Sequence, residues 1–330
     1  MSSTAQCTVH TERVAVRLGA LTIGAGPAVV IGGPGADVHW ISLRDRRGGV
    51  SSAESVAAAR AWGAGPVLVE PSSEEDLPLI AERADGVVVG AAWMRASGLV
   101  RAVAGLGLPV LLHRHPSATL EEWLAIAGRC AAEGNDGVVL CESGGRAPLG
   151  AAAPDLALMR AARGRSGHPV LAGLGADPAL ASAAVAAGAD GLLLDPSAGE
   201  RDALAAREAV RIVGALTRRE SPDSVVAARE AIDRVDAALA VLLERRAELA
   251  GTIQRLKPVG GFAGRDADRE RRLVAEMARR APVLGEARLA PIMNAVIEAG
   301  LHLAEEHRSA PRSRGADRGT ETLGTEASRE

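Results

Sequence analysis

The chain has 330 residues, 38 Lys and Arg against 41 Asp and Glu for a net charge of -3, no tyrosine and one phenylalanine. That length suits two domains of ordinary size, and without a basic patch interleaved with aromatics there is no platform for stacking bases, which excludes nucleic acid as a partner. The longest apolar runs, such as Ala28–Ile31 and Leu192–Leu194, are strand length, far below the roughly 20 residues a bilayer crossing needs. Met1–Arg13 is a polar, flexible N-terminus with no signal-peptide core, so the expected location is cytoplasmic, with no membrane partner.

From Val14 to Arg218 short apolar runs alternate with helical patterns. The predicted strands are Ala28–Gly32, Val38–Leu43, Pro66–Val69, Gly86–Val89, Pro109–His113, Gly137–Cys141, Pro169–Ala172 and Gly191–Leu194. Amphipathic stretches such as Ser52–Trp62, Glu74–Ala84, Thr119–Ala132 and Pro178–Ala187 lie between them. This is an α/β pattern that predicts a TIM-type (β/α)8 barrel over residues 14–218, with an open doubly wound sheet as the alternative. Between Gly35 and Val38 there is no room for a helix, whereas a parallel crossover needs about ten residues or more. The barrel therefore lacks part of one unit.

After Arg218 the pattern is all-α. Ser224–Lys257 reads as one helix, roughly 50 Å long, stopped by Pro258 and the Gly260–Gly261 pair. Further helices fit Asp266–Arg280 and Arg288–Glu306, the latter with Pro291 in its first turn. These three helices make a second domain over 219–306, and the polar residues 307–330 predict a disordered tail.

In the long helix Val235, Leu239, Leu242, Leu249, Ile253 and Leu256 form an apolar seam, and Arg246 interrupts it. An unpartnered buried guanidinium costs several kcal/mol, roughly, so an anion should meet it. Lys257 lies three turns on along the same face. Snorkelling, or a carboxylate on a neighbouring helix, is the structural alternative. Arg229 lies on another face and cannot serve that pocket within one chain, and so long a seam asks for a second copy to cover it.

Arg229-Glu-Ala-Ile-Asp-Arg-Val-Asp236, Leu242-Leu-Glu-Arg-Arg-Ala-Glu-Leu-Ala250, Lys257 and Asp266-Ala-Asp-Arg-Glu270 together resemble the all-helical chorismate mutases. The resemblance implies an isomerase that rearranges chorismate to prephenate without cofactor, as a homodimer joined through this domain. It implies that Arg246 grips one substrate carboxylate, that Arg229 reaches the other from the second subunit, and that Lys257 donates to the ether oxygen. Glu270 with the backbone near Asp266 would hold the ring hydroxyl, and Arg269 would support the site. The family's glutamine donor on the third helix corresponds to Ala304, and a frequent serine to Gly300. Losing one donor aimed at a transition-state oxygen commonly costs about 10² to 10³ in rate, so weak mutase activity, or activity needing a partner, is expected.

The barrel resembles DAHP synthases through Pro109-Val-Leu-Leu-His-Arg-His115, Ala118-Thr-Leu-Glu-Glu-Trp-Leu124, Gly134-Asn-Asp-Gly-Val-Val-Leu-Cys-Glu142 and Gly188-Ala-Asp-Gly191. Where that family has a metal-binding cysteine, histidine and glutamate, this chain has Gly35, Ala176 and Asp195, too few donors for a divalent ion. Three polar family positions are His113, Ala92 and Ser143, and Arg44-Asp-Arg46 stands near a family basic loop. Arg114, Glu142 and Arg146 remain as a residual anion pocket without a metal. The barrel is thus expected to have lost its reaction and to serve as scaffold, effector sensor or docking surface for another shikimate-pathway enzyme. A bifunctional enzyme and a non-catalytic binding protein are the alternatives.

Two motifs are set aside. Gly24-Ala-Gly-Pro-Ala-Val29 precedes a strand and lacks the third glycine of a dinucleotide loop. His113 and His115 share one side of a strand without a third ligand and read as a polar rim. Cys7, Cys130 and Cys141 are odd in number and widely spaced, which argues for reduced structural thiols.

Overall fold

The computed structural model describes residues 12–45, 50–146, 152–175, 177–257 and 261–309. The chain divides into two compact units, Met1–Ala238 and Leu239–Glu330.

The first unit opens with an antiparallel hairpin of β1 (Val16–Leu18) and β2 (Leu21–Ile23), which the sequence reading did not anticipate. Parallel strands β3 (Val29–Gly32), β4 (Val38–Ser42), β5 (Val67–Glu70), β6 (Gly86–Val89), β7 (Val110–His113) and β8 (Val138–Glu142) follow. After a small ribbon of β9 (Gly145–Arg146) and β10 (Ala152–Ala153) come β11 (Val170–Gly175) and β12 (Gly191–Leu194). The eight parallel strands close in the order β11-β12-β3-β4-β5-β6-β7-β8, which is the expected barrel and not the open sheet. Helices α1 (Ser52–Arg60), α2 (Leu77–Arg83), α3 (Ser97–Ala104), α4 (Leu120–Ala132), α5 (Leu156–Ser166), α6 (Ala181–Ala186) and α7 (Glu200–Thr217) surround them.

Strand alternation sorts the core into two layers. Val29, Ile31, Val38, Trp40, Leu68, Val88, Leu111, Val139, Cys141, Leu171 and Leu193 fill the barrel, and Val16, Leu18 and Ile23 of the hairpin pack with them. Their neighbours, such as Val30, Val69, Val89, Leu112, Leu140 and Ala172, lie under the helices. Capping boxes start α1 (Ser51 with Glu54) and α4 (Thr119 with Glu122), and Asp155 caps α5.

The step from β3 to β4 has no helix, as expected. A tight turn replaces it, with Ala36 N donating to Gly33 O at 3.3 Å and Asp37 N to Val30 O at 2.9 Å. Gly35 adopts φ +83, and a Cβ there would lie 2.9 Å from Glu200 Cγ at the start of α7. Arg207 of α7 fastens the turn, pairing with Asp37 at 3.1 Å and donating to Gly35 O at 3.3 Å.

Helix α8 (Val225–Leu256) runs across the boundary between the units. The division falls at Ala238, beyond the sequence boundary at Arg218. Arg234 pairs with Glu220, tying the first turns of α8 to the segment before it. The second unit continues with α9 (Ala267–Arg280) and α10 (Gly285–Ser309), which extends a few residues past each end of its predicted range and holds Pro291 inside it. The α8 seam is bare in the single chain: Val235, Leu239, Leu242, Leu249 and Leu256 are all exposed, Leu256 at 79%. Among the described residues no helix is long and apolar enough to cross a membrane.

Candidate functional site

Arg246, Ala250, Gln254 and Lys257 succeed one another along one face of α8, at steps of four, four and three residues. They line a cavity of about 250 Å³ in the second unit, closed by Arg265, Asp266, Arg269 and Glu270 at the start of α9 and by Ile297 and Leu301 of α10. Five of the sequence-predicted residues are thereby brought together: Arg246, Lys257, Asp266, Arg269 and Glu270. Arg229 is exposed elsewhere on α8 and lines no part of it.

Each group is held by identifiable contacts. Arg246 is half-buried, and Nη1 donates to Val296 O at a long 3.4 Å. Burial pulls its pKa below the ordinary guanidinium value, the positive charge of Arg269 adds to this, and Glu270 opposes it. Lys257 Nζ donates to Gly264 O at 2.9 Å. Asp266 caps α9 by accepting from Arg269 N at 2.9 Å, and that backbone bond keeps its carboxyl below the usual range.

Arg265 is a residue that sequence reasoning missed. Its Nε and Nη2 grip Glu270 at 3.1 and 2.6 Å, Nη1 reaches Glu298 at 3.3 Å and Nη2 reaches Asn294 at 2.7 Å. This pairing lowers the Glu270 pKa and fixes the carboxylate against the cavity. Gln254, also missed, lines the cavity while its Oε1 accepts from Gly261 N at 2.7 Å. The described lining carries four cations and two anions. That excess of positive charge, with Arg246 short of an acceptor, suits a small dianion.

The position expected to have lost a donor is placed differently. Ala304 lines a separate cavity across α8, with Glu244, Arg245, Glu248 and Arg255. On α10 the row that faces the site is Ile297 and Leu301, and the next step of four is Glu305. A Cβ on Gly261 would lie 2.8 Å from Glu305 Oε1, so that carboxylate sits at the rim. Gly300 faces Arg246 instead, with Nη1 3.9 Å from where its Cβ would be.

In the barrel, two of the three residues expected to form an anion pocket pair with each other. Arg114 and Glu142 are buried, with side-chain exposures of 7% and 0%, and pair with each other through Nε and, at 3.0 Å, through Nη2. Arg114 Nη1 donates to the carbonyls of His115, Pro116 and Ala118 at 3.1, 3.1 and 2.9 Å. Glu142 also accepts from Gly144 N at 2.6 Å and Asp155 N at 3.4 Å. Most of the Arg114 N–H groups are thereby taken up within the protein. The Arg146 side chain lies outside the described residues, as do Arg46, Ala176 and Cys7.

The barrel mouth is filled from within. Trp40 is buried, donates from Nε1 to Leu194 O at 2.7 Å and lies 6.2 Å from the His113 ring. His113 Nε2 is shut off from solvent without a hydrogen bond, and burial lowers its pKa to about 4. Burial pushes the Cys141 thiol up to about 12. Arg44 stands 3.7 Å from Glu70 and stacks on Trp93 at 5.1 Å.

The residues at the family's metal positions do not fit a divalent ion. Gly35 has no donor and no space for one, and the Asp195 carboxylate is held by Ser197 N and Oγ at 2.8 and 2.5 Å. Among the described residues no three His, Cys, Asp or Glu are grouped to bind a metal.

A helical cavity built on a cationic face, set after a parallel barrel, defines the class. Residues 228–305 match the chorismate mutase type II family and residues 49–170 match the DAHP synthetase I family. The chain carries a chorismate mutase type II domain at its C-terminal end and a DAHP synthetase I family domain in its barrel. Among curated proteins it is similar to a phospho-2-dehydro-3-deoxyheptonate aldolase of Thermotoga maritima, 38% identical over 78 residues, 24% of this chain and 23% of that protein. It is also similar to a 2-dehydro-3-deoxyphosphooctonate aldolase of Acidithiobacillus ferrooxidans, 31% identical over 160 residues, 42% of this chain and 56% of that protein. The matches thus span under a quarter and just over half of those relatives. A crystal structure of the DAHP synthase from Thermotoga maritima superposes with a TM-score of 0.55 at 25% identity, over 64% of this chain and 77% of that one.

Proposed function

We propose that the chain is a chorismate mutase, converting chorismate to prephenate in the C-terminal cavity, and that its barrel no longer performs the aldol-type reaction of its relatives. The observation that carries this is the cavity itself, where Arg246, Lys257 and Glu270 converge and positive charge exceeds negative. The rearrangement breaks a C–O bond as a C–C bond forms and needs no nucleophile and no proton transfer. An enzyme contributes a compact substrate conformer and stabilisation of charge developing on the ether oxygen. Arg246 holds a carboxylate, Lys257 donates to the ether oxygen, Glu270 accepts the ring hydroxyl with the Asp266 backbone beside it, and Arg269 and Arg265 hold the anionic side of the pocket.

A second copy completes the site. The bare seam of α8 needs a cover, and Arg229, exposed on that helix, is available to reach the cavity of the other subunit. The barrel is read as a scaffold or docking surface for another enzyme of the same pathway, because Arg114 and Glu142 satisfy each other and Trp40 fills the mouth.

The test is chorismate consumption, followed by ultraviolet absorbance, for the wild type and Arg246→Ala. Consumption by the wild type, lost by about 10²-fold or more in the variant, is the expected result. If neither protein consumes chorismate, the mutase reading fails and a non-catalytic binding role for the same cavity takes its place.

A further inference from the structure

The α10 residues lining the cavity, Ile297 and Leu301, carry no donor, and the Glu305 carboxylate at its rim is an acceptor when ionised, so a neutral donor beside Lys257 is to be sought on another element. Among the described lining residues Gln254 is the one uncharged polar side chain. It stands one turn before Lys257 and two turns after Arg246 on the same face of α8. Its orientation is set by the Gly261 backbone: Oε1 accepts from Gly261 N at 2.7 Å, so the amide nitrogen, with two donors, is the end left for a ligand.

We infer that Gln254 is a catalytic residue of the mutase reaction, donating a hydrogen bond to the ether oxygen beside Lys257. This assignment rests on the mutase reading given above. As the C–O bond breaks and the C–C bond forms, six electrons move around a ring and no proton changes hands. Gln254 keeps its protons and stabilises the negative charge that grows on the oxygen. An amide fixed at its oxygen meets that charge without reorganising, the condition under which such donors act most strongly. Two donors from consecutive turns of α8 then do what a donor on each of two helices would do. Ala304 lines another cavity, with Glu244 and Arg245.

The discriminating substitution is Gln254→Glu. Either carboxylate oxygen can accept from Gly261 N, so the loop contact is kept while the donor is lost and a negative charge is added. A purely structural role for Gln254 leaves kcat of this variant near the wild-type value and confines the effect of the added charge to KM. The groups facing position 254 are Arg246 and Lys257 on α8, Arg265, Asp266, Arg269 and Glu270 at the start of α9, and Glu305 on α10. The cations among them keep a new carboxyl ionised at neutral pH, and protonation restores a donor.

The measurement is kcat and KM for chorismate between pH 7.5 and 5, using the full-length wild type, Gln254→Glu, Gln254→Met and Arg246→Ala. The expectation is a fall in kcat of about 10²-fold for both Gln254 variants at pH 7.5. The Gln254→Glu rate then climbs roughly tenfold per pH unit on acidification, as the protonated fraction does, while Gln254→Met stays flat. Gln254→Glu with wild-type kcat at pH 7.5, beside an inactive Arg246→Ala, overturns the assignment and leaves the mutase reading standing. A loss in Gln254→Glu with no acid recovery also overturns it. A wild type that leaves chorismate untouched overturns both.

Discussion

Replacing Arg114 with methionine removes a charge from a site where nothing else can take its place. Glu142 is fully buried and keeps only the Gly144 and Asp155 amides, the second at 3.4 Å, while the carbonyls of His115, Pro116 and Ala118 lose their donor. Breaking one side of a buried ion pair costs about 3–5 kcal/mol, because the remaining charge is stranded. The double substitution Arg114→Met with Glu142→Leu removes both charges and should recover a large part of that loss. The assay is built into the sequence: Trp40, Trp62, Trp93 and Trp123 all lie in the first unit, and the second unit has neither tryptophan nor tyrosine. Urea unfolding followed by intrinsic fluorescence therefore reports the barrel alone. A loss below about 1 kcal/mol in Arg114→Met, together with phosphate binding by the wild type that this variant abolishes, would refute the structural role and restore the anion pocket.

Three further outcomes follow from the same structure. The His113 pKa falls from 6.5 unfolded to about 4 folded, so the unfolded state takes up a proton first; barrel stability is complete above pH 6.5 and drops by up to about 3 kcal/mol toward pH 4. His113→Leu should flatten that dependence in fluorescence-detected unfolding, and an unchanged slope would show that another group titrates. Leu242→Glu, at a seam position 49% exposed in the single chain, should give a monomer by light scattering and lose mutase turnover by about 10²-fold as Arg229 of the second copy withdraws. Gly35→Cys should lower the barrel's unfolding midpoint, since φ +83 penalises a side chain by about 1–2 kcal/mol and Glu200 blocks its Cβ; micromolar manganese binding by this variant, read by calorimetry, would contradict the geometry.

The eight barrel strands were legible because each is a short apolar run bounded by Gly, Pro or Asp. Their ends moved by a residue or so where the opening proline or glycine belongs to the loop, as at Pro66, Pro109, Gly137 and Pro169, each of which accepts or precedes the first ladder bond. The β1–β2 hairpin left a signal that went unread, Leu18-Gly-Ala-Leu21 with Gly19 at φ +58, a two-residue turn between alternating residues. On the helices the charges were legible as misfits in an apolar pattern, which found Arg246 and Lys257. The same criterion passes over Gln254, whose role depends on a backbone N–H seven residues away across a loop. On α10 the cavity is lined by Ile297 and Leu301, with Gly300 beside Arg246, while Ala304 lines another cavity, a difference of side-chain direction that residue spacing alone does not give.

Two arginines carried the functional reading of this sequence, and their surroundings now separate them. Arg114 has a buried carboxylate and three carbonyls, and the bond it donates to Glu142 raises its pKa above the ordinary value. Arg246 has one long contact to a carbonyl, the like charge of Arg269 and the opposing charge of Glu270 nearby, and a pKa lowered chiefly by burial. Both are charges withdrawn from water, a state that protein interiors leave uncompensated only where a ligand supplies the counter-charge. The electrostatic deficit therefore lies in the helical unit. An added dicarboxylate should raise the stability of that unit by mass action and leave the tryptophan-reported unfolding of an isolated barrel transition unmoved. Monitoring far-ultraviolet circular dichroism and fluorescence together on one sample, with and without prephenate, separates the two. A shift in the fluorescence transition with none in the helical one would place the ligand in the barrel and reverse the assignment.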